Sequence, residues 1–453
     1  MFSTSDTIVA IATPPGRGGI GVVRLSGPEA HDIVQRLISH AGRLEPRRAT
    51  LTLVGRGTAA GAVVGGDAID QVVATYFPGP ASYTGEDVVE LSAHGSPVVL
   101  RSIVDVAMAA GARLAEPGEF TLRAFLNGRI DLPQAEATRD LIDAVTPLQA
   151  RAAFDQLQGT LTRSVGQIDS ALFELVARLE ASVDFPDEGY HFVDPGALVA
   201  ALDGLVDRAD ALLVAGRSGR LVREGLQVAI VGKPNVGKSS VFNALVGASR
   251  AIVTEVPGTT RDLVTEVVDL EGLRVTLVDT AGLREAGDCI EAIGIERARQ
   301  AQAVADVILV VLDGSEPLEE SDRRIICEVS DNKRVIVSNK ADLRSVWSDS
   351  RAVLVSAITP SGLADLRAAI VGVVDREPLV DRPEITNIRH IALVQRARDA
   401  MVRARAAAAG AGLSEEFVLA DLQDARAAIE EVTGRRTADD LLQHIFSTFC
   451  IGK

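Results

Sequence analysis

The chain has 453 residues, more than one hydrophobic core usually holds, so its length predicts about two to four domains. Hydrophobic residues make up 47% and charged residues 24% of the chain, which is typical of a folded globular protein and excludes extensive disorder. The formal net charge of −16 argues against a protein that coats itself in nucleic acid, because Lys and Arg are what bind phosphate backbones. Any contact with nucleic acid is therefore expected to use a local patch.

The cysteines and the amino terminus indicate the compartment. Cys289, Cys327 and Cys450 are widely spaced and form no CxxC pair, so neither a disulfide framework nor a zinc site is indicated. The start of the chain lacks the basic and apolar regions of a signal peptide, and no apolar run approaches the ~18 residues of a membrane span. These features predict a soluble, cytoplasmic protein without a membrane contact. Cys450 is interpreted as a buried small hydrophobe, the commoner state of a free cysteine.

The pattern of apolar residues changes three times along the chain. Over residues 1–119, short β-rich runs alternate with Gly, Pro and two helical stretches, which predicts an α+β domain. Over residues 120–222, apolar residues recur at helical spacing, which predicts a mainly α-helical domain. Residues 223–376 show the βα alternation of a doubly wound sheet, and helical periodicity returns over residues 384–453 after a Pro-containing linker. We therefore predict that the two helical stretches form one domain, with the α/β domain inserted between them.

A phosphate-binding motif opens the α/β domain. The run GKPNVGKS at residues 232–239 fits the pattern G-x-x-x-x-G-K-S/T and directly follows an apolar strand, as this motif requires. Its glycines let backbone N–H groups surround phosphates, Lys238 supplies a positive charge, and the Ser239 hydroxyl is a ligand for Mg²⁺. The predicted nucleotide contacts in this segment are Asn235, Val236, Gly237, Lys238, Ser239 and Ser240.

Three further motifs follow at the ends of predicted strands. The run DTAG at 279–282 places a carboxylate near Mg²⁺ and a glycine N–H near the γ-phosphate. In the run NKAD at 339–342, Asp342 can accept hydrogen bonds from the N1–H and exocyclic amine of guanine, an arrangement that adenine does not offer. At residues 356–357, a backbone N–H can reach the guanine carbonyl. Four motifs in this order predict a P-loop domain that binds GTP rather than ATP, with the further contacts Asp279, Thr280, Ala281, Gly282, Asn339, Lys340, Asp342, Ser356 and Ala357.

The switch segment lacks one expected residue. The run GTTRD at 258–262 lies between the first two motifs, and Thr260 in it is a second candidate hydroxyl ligand for Mg²⁺. The residue after Gly282 is Leu283, where Ras-like enzymes carry the glutamine that orients the attacking water. Another polar group must take this role. The spacing does not choose among Arg284, Glu285, Asp288 and Glu291.

Outside the nucleotide motifs, the chain contains the stretches DTIVAIATPPGRGGIGVVRLSG, FPGPASYTGEDVVEL, EPGEFTLRAFLNGRIDLPQAEA, VDFPDE and FSTFCIGK. Together with the nucleotide motifs, these stretches resemble the tRNA-modification GTPase MnmE (TrmE) family over essentially the whole chain. The resemblance implies a multidomain fold with an N-terminal α+β folate-binding-like domain, a mainly α-helical central domain and an inserted α/β P-loop GTPase domain.

The same resemblance implies a function and its partners. A member of this family is expected to act as a homodimer with the flavin-dependent protein MnmG, in a heterotetramer, and to install an aminomethyl-type or carboxymethylaminomethyl-type group on C5 of the wobble uridine of certain tRNAs. It is expected to bind 5-formyltetrahydrofolate in the N-terminal domain. The residues that match the family's folate site are Arg24, Glu90, Arg129, which stands where the family commonly has lysine, and Lys453.

The resemblance also resolves the choice in the switch segment. In this family, two GTPase domains meet across a potassium ion that acts where an arginine finger would. The positions that match the potassium site are Asn235, Thr254, Val256 and Thr259, and Thr254, Thr259 and Thr260 also join the predicted GTP contacts. The water-orienting carboxylate matches Glu291, which is the predicted catalytic residue.

Some alternatives stay open at this stage. Without the resemblance, Arg24 and Glu90 are equally well explained as a structural ion pair. The arginines Arg396, Arg398, Arg403 and Arg405 form a basic stripe that could meet tRNA, but we interpret it as a solvated helix face. For the whole chain the alternative function is a regulatory GTPase of ribosome assembly, because the nucleotide motifs recur in both classes. The matches outside the GTPase domain favour tRNA modification.

Overall fold

The computed structural model describes residues 5–56, 68–184, 194–248, 264–279, 305–330, 333–359, 361–373, 383–410 and 415–452. The chain divides into two compact units, one of residues 1–139 together with 430–453 and the other of residues 140–429. Among the described residues, no helix combines the length and the apolar character needed to cross a membrane.

The first unit is built on a six-stranded sheet. Its strands are β1 (Ile8–Ile11), β2 (Gly18–Ser26), β3 (Thr50–Gly55), β4 (Ala68–Phe77), β5 (Val88–Gly95) and β6 (Arg113–Leu114). Their order is β3-β4-β5-β2-β1-β6, and every neighbouring pair is antiparallel except β1 and β6. Alternate residues of the central strands are buried, as in a sheet whose faces have different neighbours.

Helices cover the first unit's sheet. Those in this part of the chain are α1 (Ala30–Leu37), α2 (Pro97–Ala109) and α3 (Glu119–Leu126). Ile33 and Ile103, from α1 and α2, are fully buried in one cluster with Val23 and Leu91 of the sheet. Phe120 of α3 joins a separate cluster with Ile8 and Ala10. The first unit therefore has the α+β character predicted from its sequence.

Long helices dominate the second unit. The remaining helices among the described residues are α4 (Leu132–Ile142), α5 (Pro147–Leu157), α6 (Thr160–Asp184), α7 (Pro195–Glu224), α8 (Lys238–Ala248), α9 (Glu320–Glu328), α10 (Leu363–Gly372), α11 (Ile388–Ala409), α12 (Glu415–Thr433) and α13 (Asp439–Ser447). Most of α4, the end of α12 and all of α13 belong to the first unit. Local sequence sets their ends: a capping box at Thr146 and Gln149 opens α5, and the Asp194 carboxylate caps α7.

Two helices that flank the α/β region in the sequence pack against each other. Ion pairs join Asp210 of α7 to Arg398 of α11 and, about two helical turns away, Asp203 of α7 to Arg405 of α11. At Gly219 of α7 an added Cβ would lie 1.9 Å from the carbonyl oxygen of Ile385, so the chain leading into α11 crosses α7 where only glycine fits. The helical stretches before and after the α/β region are therefore in contact.

The α/β region has a second six-stranded sheet. Its strands are β7 (Leu226–Val231), β8 (Val264–Leu270), β9 (Leu273–Asp279), β10 (Val307–Asp313), β11 (Arg334–Asn339) and β12 (Ala352–Leu354). The order is β12-β11-β10-β7-β9-β8, and all neighbours are parallel except β8 and β9. Buried clusters lie on both faces, which explains why β10 is a continuous apolar run. The predicted multidomain fold, with an α/β region between helical segments, is confirmed; the domain boundaries at residues 119, 222, 376 and 384 stay predictions.

Candidate functional site

The loop between β7 and α8 has a backbone shape that depends on glycine. Gly232, Asn235 and Gly237 have φ angles of 153°, 66° and 92°. An added Cβ at Gly232 would lie 2.3 Å from the carbonyl oxygen of Val311, and one at Gly237 would lie 2.2 Å from Nδ2 of Asn339. The spacing of the glycines in the motif is therefore required by the neighbouring strands β10 and β11 as well as by the turn itself.

Lys238 is the first residue of α8, and its ammonium group folds back onto this loop. Its Nζ donates hydrogen bonds to the carbonyl oxygens of Gly232, at 3.0 Å, and Lys233, at 2.7 Å. Lys233 in turn forms ion pairs with Glu319 at 3.0 Å and with the buried Asp322 at 2.7 Å, next to the start of α9. The structure thus places a buried cation at the mouth of the loop and ties the loop to α9.

Two oxygen ligands meet beside the loop. The hydroxyl of Ser239 donates to Oδ2 of Asp279 at 2.9 Å, and Asp279 is the buried last residue of β9. A hydroxyl and a carboxylate are the hard oxygen donors that Mg²⁺ prefers. These two residues therefore fit a magnesium site at the carboxyl edge of the sheet.

Asn339, at the end of β11, connects the loop to the second pair of motifs. Its Nδ2 donates to the carbonyl oxygen of Val236 at 2.9 Å, and its Oδ1 is buried without a hydrogen-bond partner among the described residues. A buried acceptor without a partner is costly, so this oxygen is suited to a donor on a bound ligand.

The two motifs predicted to read the base are joined by hydrogen bonds. Oδ1 of Asp342 accepts from the hydroxyl of the fully buried Ser356 at 2.5 Å, and that hydroxyl accepts from the backbone N–H of Thr359 at 3.1 Å. The N–H of Ala341 donates to the carbonyl oxygen of Val355 at 3.1 Å. Asp342 itself is exposed, as expected of a side chain that meets a ligand.

Asp313 is a residue of this site that the sequence motifs did not identify. It is the last residue of β10 and the register partner of Asn339. Its Oδ2 accepts from Nζ of Lys340 at 2.5 Å, and its backbone oxygen accepts from Nε1 of Trp347 at 2.7 Å. Burial alone would raise the pKa of Asp313, but the hydrogen bonds from Lys340 and Ser315 outweigh it and hold the pKa below its usual range. The sequence contained one signal that could have identified Asp313, namely that it is an acidic residue at the carboxyl end of a buried parallel strand.

Several predicted site residues lie outside the described residues. They are Thr254, Val256, Thr259, Thr260, Thr280, Ala281, Gly282, Glu291 and Lys453, together with the earlier alternatives Arg284, Glu285 and Asp288.

In the first unit, Arg24 and Glu90 are opposite each other on β2 and β5. Nε of Arg24 donates to Oε1 of Glu90 at 2.9 Å, and its Nη1 donates to the carbonyl oxygen of Gly452 at 3.5 Å. The guanidinium lies 5.2 Å from the ring centre of Tyr83 and 5.7 Å from that of Phe120. The structure therefore brings together Arg24, Glu90 and the carboxyl-terminal segment that precedes Lys453.

Arg129 occupies a different position in the same unit. It is exposed, and its side chain runs past Gly85, where an added Cβ would lie 3.1 Å from Cγ of Arg129. Gly85 belongs to the loop that also carries Tyr83, so Arg129 and Arg24 both adjoin the segment between β4 and β5.

The structure contradicts one interpretation made from the sequence and supports another. Cys450 is exposed, so its interpretation as a buried hydrophobe is wrong; it lies in the segment after α13 that runs along the surface of the first unit. In the basic stripe, Arg398 pairs with Asp210, Arg403 with Asp421 and Arg405 with Asp203. These ion pairs support a solvated helix face, because the positive charges of Arg398, Arg403 and Arg405 each have a nearby negative one.

The fold and the site together define a class of protein. The mainly parallel sheet carries a strand, a glycine loop and a helix in succession. A lysine and a serine–aspartate pair lie at one end of the site, and an Asn-Lys-x-Asp motif joined to Ser356 lies at the other. This is the arrangement of a P-loop GTPase.

Comparison with known proteins gives the family. Residues 132–450 match the MnmE helical domain and residues 7–129 match the GTP-binding protein TrmE N-terminus. The tRNA modification GTPase MnmE of Koribacter versatilis is 46% identical over 100% of both chains. The proteins of the same name from Aquifex aeolicus and Moorella thermoacetica are 40% and 42% identical, covering 99% of this chain and 100% and 99% of their own. The chain belongs to the MnmE family of tRNA modification GTPases, and it hydrolyses GTP in connection with tRNA modification.

Proposed function

We propose that this chain is the GTP-hydrolysing component of a system that modifies C5 of the wobble uridine in tRNA, with an aminomethyl-type or carboxymethylaminomethyl-type product. It would act as a homodimer in the cytoplasm, together with the flavin-dependent protein MnmG and a formyl-tetrahydrofolate. The observation that carries the proposal is that the likeness to the family extends over the whole chain, including the unit that holds Arg24 and Glu90. A nucleotide site alone would fit a ribosome-assembly GTPase equally well.

Nucleoside analysis of tRNA from cells lacking the gene tests this function. We expect the C5-substituted uridine to disappear and to return when the wild-type chain is supplied, but not when Lys238→Ala is supplied. Unaltered tRNA nucleosides combined with a defect in ribosomal subunit assembly would contradict the proposal and favour the alternative.

The GTP contacts are part of the proposal. Support comes from the buried position of Lys238, the orphaned oxygen of Asn339 and the joined pair Asp342 and Ser356. Ser239 and Thr260 would ligate Mg²⁺, which neutralises charge on the outer phosphates when bound. The remaining proposed contacts are Asn235, Val236, Gly237, Ser240, Thr254, Thr259, Asp279, Thr280, Ala281, Gly282, Lys340 and Ala357.

We further propose that 5-formyltetrahydrofolate binds beside Arg24, with Glu90, Arg129 and Lys453. Support comes from the setting of Arg24, whose side chain is 14% exposed between two aromatic rings, while Glu90 is 28% exposed and keeps acceptor capacity. A planar, hydrogen-bonding ligand suits such a mixture of rings and charges.

Calorimetry with 5-formyltetrahydrofolate tests this site. We expect the wild-type chain to bind and Arg24→Gln to lose most of the affinity, because the ligand would face an unpaired Glu90. Arg48→Gln is the matched control, since Arg48 is an exposed arginine of the same unit that pairs with Glu45. Absence of binding by folded wild-type protein would contradict the folate site and leave the GTPase unaffected.

Hydrolysis is proposed to need potassium and the pairing of two GTPase domains. Leu283 cannot orient water, and the proposed substitute Glu291 is nine residues beyond Gly282. Ordering such a segment costs on the order of 1–2 kcal/mol per residue, which requires compensating contacts. A potassium ion held by Asn235, Thr254, Val256 and Thr259 would supply positive charge opposite the charge that develops in the transition state. Support comes from Asn235, which is exposed in the phosphate loop.

Rates in potassium and sodium test this mechanism. We expect kcat to be far higher in potassium, because the smaller sodium ion would contract the same set of ligands. Glu291→Ala should lose most of its kcat with little change in nucleotide affinity, whereas Glu328→Ala, an exposed acid on α9, should behave as wild type. Equal rates in the two salts, or a normal kcat for Glu291→Ala, would show the mechanism to be wrong.

A further inference from the structure

Asp313 is the point at which the loops of the base-reading end converge, although no nucleotide motif contains it. Its carboxylate and its backbone oxygen bind two different parts of the segment that follows β11, namely Lys340 and Trp347. The second carboxylate oxygen accepts from the backbone N–H of Ser315 at 2.8 Å and from the Ser315 hydroxyl at 2.6 Å. Each oxygen of Asp313 therefore has a defined partner.

Lys340 needs such a partner because of its backbone. It has a φ of 64°, in the left-handed region that a residue with a side chain adopts only when its surroundings hold it there. The Lys340 side chain is 34% exposed and that of Asp313 is 11% exposed, so the pair is screened from water more than a surface ion pair. The ion pair therefore holds the turn that begins the NKAD motif.

Trp347 fixes the other end of the same segment. Its indole N–H donates to the backbone oxygen of Asp313, and the N–H of Val346 donates to the carbonyl oxygen of Gly314 at 2.9 Å. The indole also packs against the cluster that contains Ile308 and Val310 of β10. Residues 340–347, with Asp342 among them, are thus held at both ends by the turn at residues 313–314.

We propose that Asp313 is a positioning residue for guanine recognition: it holds residues 340–347 so that Asp342 meets the base, and it does not itself touch the nucleotide. This inference rests on the proposed role of Asp342 in reading guanine. In this arrangement a carboxylate at the end of β10 supports the segment after β11 that carries the carboxylate of Asp342.

Asp313→Asn tests the inference, because it removes the charge and keeps the size of the side chain. We expect the Kd for GTP to rise roughly 10-fold, as for loss of a hydrogen bond to a charged group. The kcat at saturating GTP should stay within about twofold of wild type, since the phosphate end is unchanged. The preference for GTP over ITP should fall, because ITP lacks the exocyclic amine and therefore forms one fewer hydrogen bond with Asp342.

A matched control is present in the same region. Asp349 is also an acid paired with a basic residue, Arg351, at 3.0 Å, but it lies beyond Trp347, and among the described residues its carboxylate hydrogen-bonds to Arg351 alone. Asp349→Asn should leave the Kd for GTP, the kcat and the GTP-over-ITP preference unchanged.

Trp347 supplies a direct readout, because it is the only tryptophan of the chain. In Asp313→Asn we expect its fluorescence to become more accessible to acrylamide, and in Asp349→Asn we expect no change. Trp347→Phe removes the indole donor but keeps an aromatic ring, so it should raise the Kd for GTP by a smaller factor than Asp313→Asn. If Asp313→Asn does not fold, as judged by circular dichroism, Trp347→Phe carries the test.

An unchanged Kd for GTP in folded Asp313→Asn, or a loss that falls on kcat rather than on the Kd, would overturn the inference. A proportional loss of GTP and ITP binding would also overturn it, because that result describes a general destabilisation. Asp342→Asn distinguishes a failure of the proposed base site from a failure of the positioning role of Asp313. If it does not move the preference toward xanthine nucleotides, the base site is wrong; if it does while Asp313→Asn binds GTP normally, only the positioning role is wrong.

Discussion

The phosphate end and the base end of the nucleotide site are built by different means. At the phosphate end, the loop is shaped by its backbone, and strands β10 and β11 approach Gly232 and Gly237 so closely that a Cβ would overlap them. At the base end, side chains do the positioning: Ser356 holds Asp342, and Asp313 holds Lys340. The conformation of the phosphate loop depends on the absence of a Cβ at two glycines, whereas the position of the base-reading residues depends on contacts between side chains.

This difference predicts how each end fails. The loop does not tolerate added volume at its glycines, because a methyl group at Gly232 would meet the backbone of β10 and one at Gly237 would displace the side chain of Asn339. A side-chain network tolerates little loss of a polar partner, because the group left behind is buried and unsatisfied. Added volume at a loop glycine therefore tests the phosphate end, and removal of a polar partner of residues 340–347 tests the base end.

The largest effect is expected from Gly237→Ala. The new methyl group would meet Nδ2 of Asn339, and alanine would have to adopt a φ of 92°. Strain of this kind, added to the overlap, should weaken GTP binding by at least about 100-fold in a direct titration.

Gly247→Ala is the matched control for this change. Gly247 also lies in this region, on α8, but an added Cβ there has nothing within 4 Å. Alanine is the better helix former, so this variant should bind GTP normally and melt at the same or a higher temperature. Equal damage from both substitutions would show that the phosphate loop does not depend on the close approach of Asn339.

A smaller and more selective effect is expected from Asp342→Asn. The base end should lose the acceptor for the guanine N1–H and amine, so GTP affinity should fall by about 10- to 100-fold while xanthosine triphosphate gains. Competition assays with ATP, GTP and XTP measure this directly. Comparable affinity of the wild-type chain for ATP and GTP would contradict the assignment of the base end.

The same difference explains what the sequence predicted and what it did not. The phosphate loop follows from local spacing, since its glycines, Lys238 and Ser239 are within eight consecutive residues. The strands of the α/β sheet were also predictable, because β10 and residues 228–231 of β7 are buried and form continuous apolar runs. Asp313 was not found, because its partners Lys340 and Trp347 are separated from it by 27 and 34 residues and meet only in the folded sheet.

In the first unit, too, residues that are far apart in the sequence meet only in the folded sheet. Arg24 and Glu90 are 66 residues apart, and only the pairing of β2 with β5 brings them together. Their place in a folate site was predicted from the family resemblance and not from any spacing. The exposure of Cys450 was mispredicted because the residue type gives only the average burial of cysteine side chains. The course of the chain after α13 decides whether this particular side chain is buried.

A network of charged side chains in the first unit makes the stability of the fold depend on pH. The buried Arg123 contacts Glu119, at 3.0 Å, Asp6, at 2.6 Å, and Glu86, at 3.2 Å. Burial alone would raise the pKa of Glu119 and of Asp6, but hydrogen bonds from Arg113 and Arg123 outweigh it and hold both pKa values below their usual range. The stabilisation is therefore present above the pKa of an unfolded carboxyl group, about 4, and is lost as the pH falls through the lower folded pKa values.

Glu119→Gln should make this acid-dependent loss smaller. At pH 7 we expect the free energy of unfolding to fall by about 1–3 kcal/mol, because a buried charge-assisted hydrogen bond is weakened. The difference in melting temperature between variant and wild type should narrow as the pH falls below about 4 and should vanish only below the lowered folded pKa of Glu119, where the wild-type carboxylate is protonated. Calorimetry of the full chain between pH 3 and 7 measures this, and a constant difference across that range would mean that the ionisation of Glu119 is not involved.

The smallest effect is expected on α11, where charges are exposed and paired. If the basic stripe bound tRNA phosphate, replacing two of its arginines would weaken tRNA binding and lower its dependence on salt. The pairing of Arg398 with Asp210 and of Arg405 with Asp203 instead accounts for both charges within the helical pair. Exposed ion pairs of this kind contribute little to stability, so the double substitution to glutamine should also leave the fold intact.

We therefore expect cells supplied with Arg398→Gln/Arg405→Gln to contain wild-type levels of the modified tRNA nucleoside, while cells supplied with Lys238→Ala contain none. A marked fall in the modified nucleoside with the double variant, at normal GTPase activity, would instead assign tRNA contact to α11.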